Sequence, residues 1–213
     1  MPFKTPGVNS EYIRQIIKPE SDELLKEMTA YADENFIPVL LPESAVFLAQ
    51  TVMLKRPKKV LEIGTAIGYS SQIILRNGAE RLYTVEIKEE MLDKAKEYFS
   101  RANLLDRVTC FLGDAGEILP LMEGEFDFIF MDGPKTKYIE YLPNVKRMLA
   151  PGGILLCDNV LFNGMVTGEE QFVKKKATII NGLDKFLTAI CADEDFTTSI
   201  LPVGDGMSLS IRK

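Results

Sequence analysis

The stretch KVLEIGTAIGYSSQIILRNGAERLYTVE, residues 59–86, decides the fold. Residues 60–63 read as a buried strand, short and apolar in the way of parallel strands covered on both faces. A glycine-bearing turn follows at 64–68, then an amphipathic helix, then a second strand that ends in an acid, Glu86. That is a βαβ unit whose first turn forms a nucleotide-type pocket. Gly64 and Gly68 remove side chains where the backbone must turn sharply and approach a ligand. Glu86 stands 24 residues after Glu62, where an acid accepts hydrogen bonds from a ribose diol. Taken alone, the unit indicates a nucleoside-bearing cofactor, NAD included.

Outside this unit, composition narrows the function classes. The chain has 213 residues, 46% of them apolar and 26% charged, with a formal net charge of −6. That length suits one domain burying about 70% of its unfolded surface, and the acidic balance argues against a nonspecific polyanion binder. Three cysteines without CxxC spacing, Cys110, Cys157 and Cys191, suggest reduced thiols in a cytoplasmic protein, two of them packed in apolar runs. The N-terminus lacks a signal-peptide pattern, and no apolar run approaches the roughly 18 residues of a membrane span. Histidine is absent, which excludes histidine triads, ligands and general bases.

Along the chain, residues 1–35 read as peripheral helices, with Ser21 and Asp22 at a helix start. Pro42 and Glu43 open a helix running to 54. KRPKK, 55–59, is a solvated linker or a patch for phosphate contacts. Beyond the opening unit, helix 88–101, strand 107–112, a turn at Gly113 and Asp114, a short helix, and strand 126–131 follow. A helix then runs to 149 and closes at 151–153, strand 154–157 follows, and a long, largely polar helix is expected over 169–191. Two last strands, 196–201 and 207–211, are joined through Gly204-Asp205-Gly206 as a hairpin. The expectation is a Rossmann-like doubly wound α/β sheet of seven strands, mostly parallel, with a C-terminal antiparallel hairpin and helices on both faces. The whole chain, 1–213, reads as one domain, with 1–55 covering the site.

Ligands in such sheets bind at the carboxyl ends of the strands, where the sequence places Glu62, Glu86, Asp114, Asp132, Asp158 and Asn159. Any one acid can be a helix cap, but together they suggest a site for cationic ligands. Asp132, Asp158 and Asn159 offer hard oxygen donors that suit Mg²⁺, Mn²⁺ or Ca²⁺; an Asx turn and a helix cap are the alternative. Lys135 follows Asp132 by three residues, and beside a metal it is a possible neutral general base, although a lone lysine at that spacing is usually a surface residue.

The segment 60–69, with Glu62-x-Gly64-x-x-x-Gly68, resembles the first motif of class I S-adenosylmethionine-dependent methyltransferases; Ala66 stands where the dinucleotide fingerprint has glycine. Four blocks together, LEIGTAIGYSS (61–71), FDFIFMDGPKTKYIEYL (126–142), LAPGGILLCDNVLFNGMV (149–166) and LPVGDGMSLSIRK (201–213), resemble the cation-dependent O-methyltransferases of the catechol and caffeoyl-CoA type. The resemblance implies S-adenosyl-L-methionine as methyl donor and Mg²⁺, or Mn²⁺ or Ca²⁺, on Asp132, Asp158 and Asn159. It makes Lys135 the catalytic lysine, with Asp132 serving metal and cofactor. Cofactor contacts would come from Val39, Glu62, Gly64, Thr65, Gly68, Tyr69, Ser70, Glu86, Asp114 and Ala115. A homodimer is also implied. The DNVLFNG loop (158–164) and the GDGMSLS tail (204–210) look most like the bacterial branch that methylates 5-hydroxyuridine in tRNA, whose unpaired wobble base is cheap to extrude. Lys174, Lys175, Lys176 and KRPKK are then candidate contacts to the anticodon loop. A small catechol-like phenol is the alternative acceptor.

Overall fold

The structure is a computed structural model describing residues 10–168 and 174–213. Five parallel strands build the sheet: β1 (Lys59–Ile63), β2 (Arg81–Glu86), β3 (Val108–Leu112), β4 (Phe126–Met131) and β5 (Leu149–Cys157). Strands β6 (Phe196–Leu201) and β7 (Met207–Arg212) close it as an antiparallel hairpin, β7 pairing with β5. The order β3-β2-β1-β4-β5-β7-β6 reverses direction between β1 and β4. At that switch point the connecting helices leave to opposite faces and open a crevice.

The period of two along each strand explains why both faces are covered. Leu61, Ile63, Ile129, Met131 and Leu155 point to one face, where α6 (Ala115–Leu121), α7 (Tyr138–Met148) and α8 (Ala177–Ala192) pack. Val60, Leu82, Phe128, Phe130 and Leu156 point to the other. There α2 (Glu23–Glu34), α3 (Pro42–Lys55), α4 (Tyr69–Arg76) and α5 (Glu89–Arg101) lie, with α1 (Ser10–Ile16) outermost against α3. Two of the helix starts on this face have a clear physical cause. Asp22, rather than Ser21, caps α2 by accepting the Leu24 and Leu25 N–H groups at 3.0 Å, and Pro42 opens α3 at a position that needs no N–H.

Two expectations change and one alternative is decided. Strand β5 begins at Leu149, not 154: Leu149 pairs with Phe126 and Ile154 with Phe128, so 151–153 are a bulge within the strand, where Pro151 needs no ladder partner. The helix α8 is amphipathic rather than largely polar, because Ile180, Leu183, Phe186 and Ile190 recur at helical spacing and are buried; its expected first residues, 169–173, lie outside the described residues. KRPKK is a linker at the opposite end of the sheet from the carboxyl ends of the strands. The backbone N–H groups of Lys58 and Lys59 donate to Asp127, and Lys55 Nζ donates to the Gly152 carbonyl. Among the cysteines, Cys157 is buried, and burial pushes its thiol up to about 12; Cys110 is half-buried and Cys191 exposed. Among the described residues no helix is long and apolar enough to cross a membrane.

Candidate active site

Backbone hydrogen bonds carry the sheet one residue past its strand ends, and this places the acids. The Asp132 N–H donates to the Ile63 carbonyl at 2.9 Å, and the Asp158 N–H to the Met131 carbonyl at 3.1 Å. With Met131 opposite Cys157 in register, Asp132 and Asp158 are adjacent residues on neighbouring strands, whose spacing is about 4.8 Å. Tyr138, fully buried at the start of α7, fixes this pair of ends: its hydroxyl reaches the carbonyls of Met131 (2.9 Å) and Asp158 (3.1 Å). At Gly64 a Cβ would come within 2.6 Å of the Asp132 carbonyl oxygen, so only glycine lets the first turn pass so close to β4.

Above these ends lies a cavity of about 690 Å³, the size of a small-molecule or cofactor site. Of the residues expected to form the site, Val39, Gly64, Thr65, Tyr69, Ser70, Glu86, Asp114, Ala115, Asp132, Lys135, Asp158 and Asn159 line it. Glu86 is already partly engaged. The Ala66 N–H donates to one carboxylate oxygen (2.8 Å) and the Lys88 N–H to the other (3.0 Å), which aims the remaining lone pairs into the cavity mouth. Asp114 does cap α6, accepting the Gly116 N–H at 2.7 Å, while also lining the cavity.

Glu62 and Gly68 do not line the cavity. Glu62, one residue before the end of β1, points under the first turn of α4, fully buried, and accepts hydroxyl hydrogen bonds from Ser70 (2.6 Å), Thr84 (2.7 Å) and Ser71. Its role is to hold the first turn of α4, and Ser70 with it, against β1 and β2. Burial raises its pKa to about 7, against the pull of the three hydroxyls. Gly68 stands at the N-cap of α4, against the Phe99 ring. A single sequence cannot separate an acid facing the ligand from one facing a helix, because it does not show how far the covering helix reaches along the strand: Glu62 lies under the first turn of α4, and Glu86, on the same face, lies beyond it.

At the other end of the cavity, Lys135 Nζ donates to Asp132 at 2.5 Å and lies 5.4 Å from the Tyr138 ring centroid. The Asp158 Oδ1 atom is buried without a hydrogen-bond partner. Burial raises the Asp158 pKa to about 7, and the charge of Asp132 adds to the rise. Two neighbouring carboxylates, one with an unpartnered buried oxygen, call for a cation. Among the described residues no three His, Cys, Asp or Glu side chains cluster as metal ligands; the third donor of this set is an amide, Asn159. Two carboxylates and an amide oxygen are the donors that hard cations such as Mg²⁺ or Mn²⁺ take, water and substrate completing the shell. The residues fit the metal.

Sequence reading missed Tyr141, which lines the cavity beside Asp114; burial and the charge of Asp114 push its phenol up to about 12. The spacing of three between Lys135, Tyr138 and Tyr141 was the available signal, since those positions fall on one side of a helical path.

A seven-stranded sheet of this order, with an acid-lined crevice over its switch point, defines a class I methyltransferase fold. The chain belongs to the O-methyltransferase family, whose profile matches residues 14–213. It is 32% identical to a catechol O-methyltransferase of Niastella koreensis over 95% of both chains. A caffeoyl-CoA O-methyltransferase of Eucalyptus globulus is 28% identical, the match covering 92% of this chain and 82% of that one. Among solved structures, an O-methyltransferase from Bacillus cereus in complex with S-adenosylhomocysteine (SAH) superposes with a TM-score of 0.83 at 27% identity, covering 95% and 96% of the two chains. The SAH-bound methyltransferase of Podospora anserina gives 0.84 at 27% identity, over 100% and 98%.

Proposed function

We propose that this protein transfers a methyl group from S-adenosyl-L-methionine to one of two vicinal oxygens of a small phenol, assisted by a divalent cation. The observation that carries the proposal is the meeting of Asp132, Lys135, Asp158 and Asn159 at one end of the cavity, with Glu86 and Asp114 at the other. One group suits the nucleoside of the donor, the other an oxygen nucleophile. The SAH-bound relatives support the choice of donor.

The ribose diol donates to Glu86, whose orientation the Ala66 and Lys88 amides fix, while Asp114 and Ala115 receive the base. Val39 and its neighbours in the segment before α3 cover the cavity and exclude water. Methyl transfer forms the acceptor C–O bond as the S–C bond breaks, and the sulfur keeps that electron pair. Positioning and electrostatics therefore supply most of the rate. Asp132, Asp158 and Asn159 would hold a divalent cation, which would supply Lewis acidity that lowers the pKa of the acceptor hydroxyl. Lys135, whose Nζ lies 2.5 Å from Asp132, lines the same end of the cavity and is the residue placed to take the hydroxyl proton.

For the acceptor, the relatives named for catechol and caffeoyl-CoA support a small phenol over the tRNA uridine favoured from the sequence. KRPKK lies at the wrong end of the sheet for an RNA held at this site. Of the other candidate contacts, Lys174 and Lys175 are exposed, and Lys176 Nζ lies over the Phe162 ring, 5.0 Å from its centroid. The test is methylation of catechol and of caffeoyl-type phenols, with and without EDTA. Full activity in EDTA refutes the metal role. Loss of tRNA 5-methoxyuridine with gain of 5-hydroxyuridine in a strain lacking the protein would replace the phenol with RNA.

A further inference from the structure

The loop that carries Asp158 and Asn159 has an unusual backbone. Asn159, Phe162 and Asn163 all take positive φ (57°, 49° and 53°), a region that asparagine enters readily but that a bulky residue such as Phe162 occupies only where surrounding contacts impose it. Here the contacts come from one distant element, the turn between β6 and β7. The Val160 N–H donates to the Gly206 carbonyl (2.9 Å), the Leu161 N–H to the Asp205 carbonyl (3.1 Å), and the Asn163 N–H to the Asp205 carboxylate. Three amides within four residues thus end on two residues some 40 positions away.

The same turn is wedged from both sides. At Gly206, φ is +86°, and a methyl there would lie 2.6 Å from the Leu161 Cβ; at Gly204 a methyl would run into the Ser44 side chain, 3.6 Å from Leu41. Leu41 lines the cavity and Ser44 sits in the first turns of α3. The turn therefore touches both the loop that holds two of the proposed metal ligands and the segment that covers the cavity.

We propose that Asp205 is a positioning residue: its carboxylate and carbonyl hold the loop that follows Asp158, residues 159–163, in the form that keeps Asn159 with Asp132 and Asp158. This deepens the metal-assisted reading above and rests on it. Asp205 does not line the cavity and acts through the loop amides; its charge also bears on Asp158, an effect that Asp205→Asn separates from the hydrogen bond. Without its carboxylate, Asn163 loses the bond that holds it at positive φ, the loop relaxes, and the donor set opens.

The experiment titrates the full chain with Mn²⁺, read from the EPR signal of the free ion, in parallel with calorimetric titration of SAH. Asp205→Ala is expected to weaken Mn²⁺ binding about tenfold or more while SAH binding stays within about twofold. Asp205→Asn retains an oxygen that accepts the Asn163 N–H, and its Mn²⁺ affinity is expected to stay within about threefold of the parent. Unchanged Mn²⁺ binding in Asp205→Ala overturns the role. Equal weakening in both variants also overturns it, by showing that charge rather than the hydrogen bond matters. A parent chain that binds SAH but no Mn²⁺ overturns the metal reading, and the positioning role falls with it. Should Asp205→Ala fail to fold, Asp205→Leu, close to aspartate in shape and without an acceptor, takes its place: a loss of about tenfold or more beside a near-parental Asp205→Asn supports the role, and unchanged binding overturns it.

Discussion

Glu62→Gln is the substitution with the most definite expected outcome. Glu62 is fully buried, and its pKa rises from 4.5 to about 7. The folded chain therefore binds this proton more tightly than the unfolded chain. The contribution of Glu62 to stability is whole below pH 4.5 and is lost as pH rises through about 7. A gap of about 2.5 pH units at 1.36 kcal/mol per unit is about 3 kcal/mol in all, of which about 2 kcal/mol falls between pH 5.5 and 8. Glutamine keeps the shape and offers groups to the Ser70, Ser71 and Thr84 hydroxyls, but it does not titrate. Relative to the parent, Glu62→Gln should gain about 2 kcal/mol between pH 5.5 and 8, equivalent to roughly 4–8 °C in Tm for a chain of this length. Urea denaturation of both proteins at several pH values measures the difference, in which all other titrations cancel. A difference that stays within about 0.5 kcal/mol over the range refutes the assignment of a buried, proton-retaining acid.

Asp158→Ala should abolish methyl transfer while SAH still binds, because the nucleoside end of the cavity is untouched; retained turnover would refute the metal site. Lys135→Met should lower kcat by about 10²–10⁴ with little change in donor affinity, the range for loss of a positioned general base. Steady-state kinetics at saturating donor measures it, and an unchanged kcat removes Lys135 from the chemistry. Glu86→Ala should weaken SAH binding about ten- to a hundredfold, as expected for losing charge-assisted bonds to a diol. Calorimetry tests this, and an unchanged affinity would place the ribose elsewhere.

The sequence alone determined the strand-and-helix order, the glycine turn after β1, and the acids at the strand ends. Those features are local: a strand of four or five apolar residues, a glycine turn or a proline at a helix start leaves its mark within a few positions. The resemblance of four motif blocks extended this to a family and a donor set. Which acids face the ligand was decided only by the fold. Glu62 and Glu86 look alike in the sequence and share one face of the sheet, since Glu62 pairs with Thr84, two residues before Glu86; Glu62 stops one residue short of its strand's end and is covered by α4, while Glu86, at its strand's end, reaches the cavity. KRPKK and Lys135 are both basic, but the direction of the parallel strands puts one at each end of the sheet. Asp205 shows the same limit most clearly. It meets Asn163 only because β7 pairs with β5, and such a pairing across about 40 residues is a tertiary contact that no local pattern records.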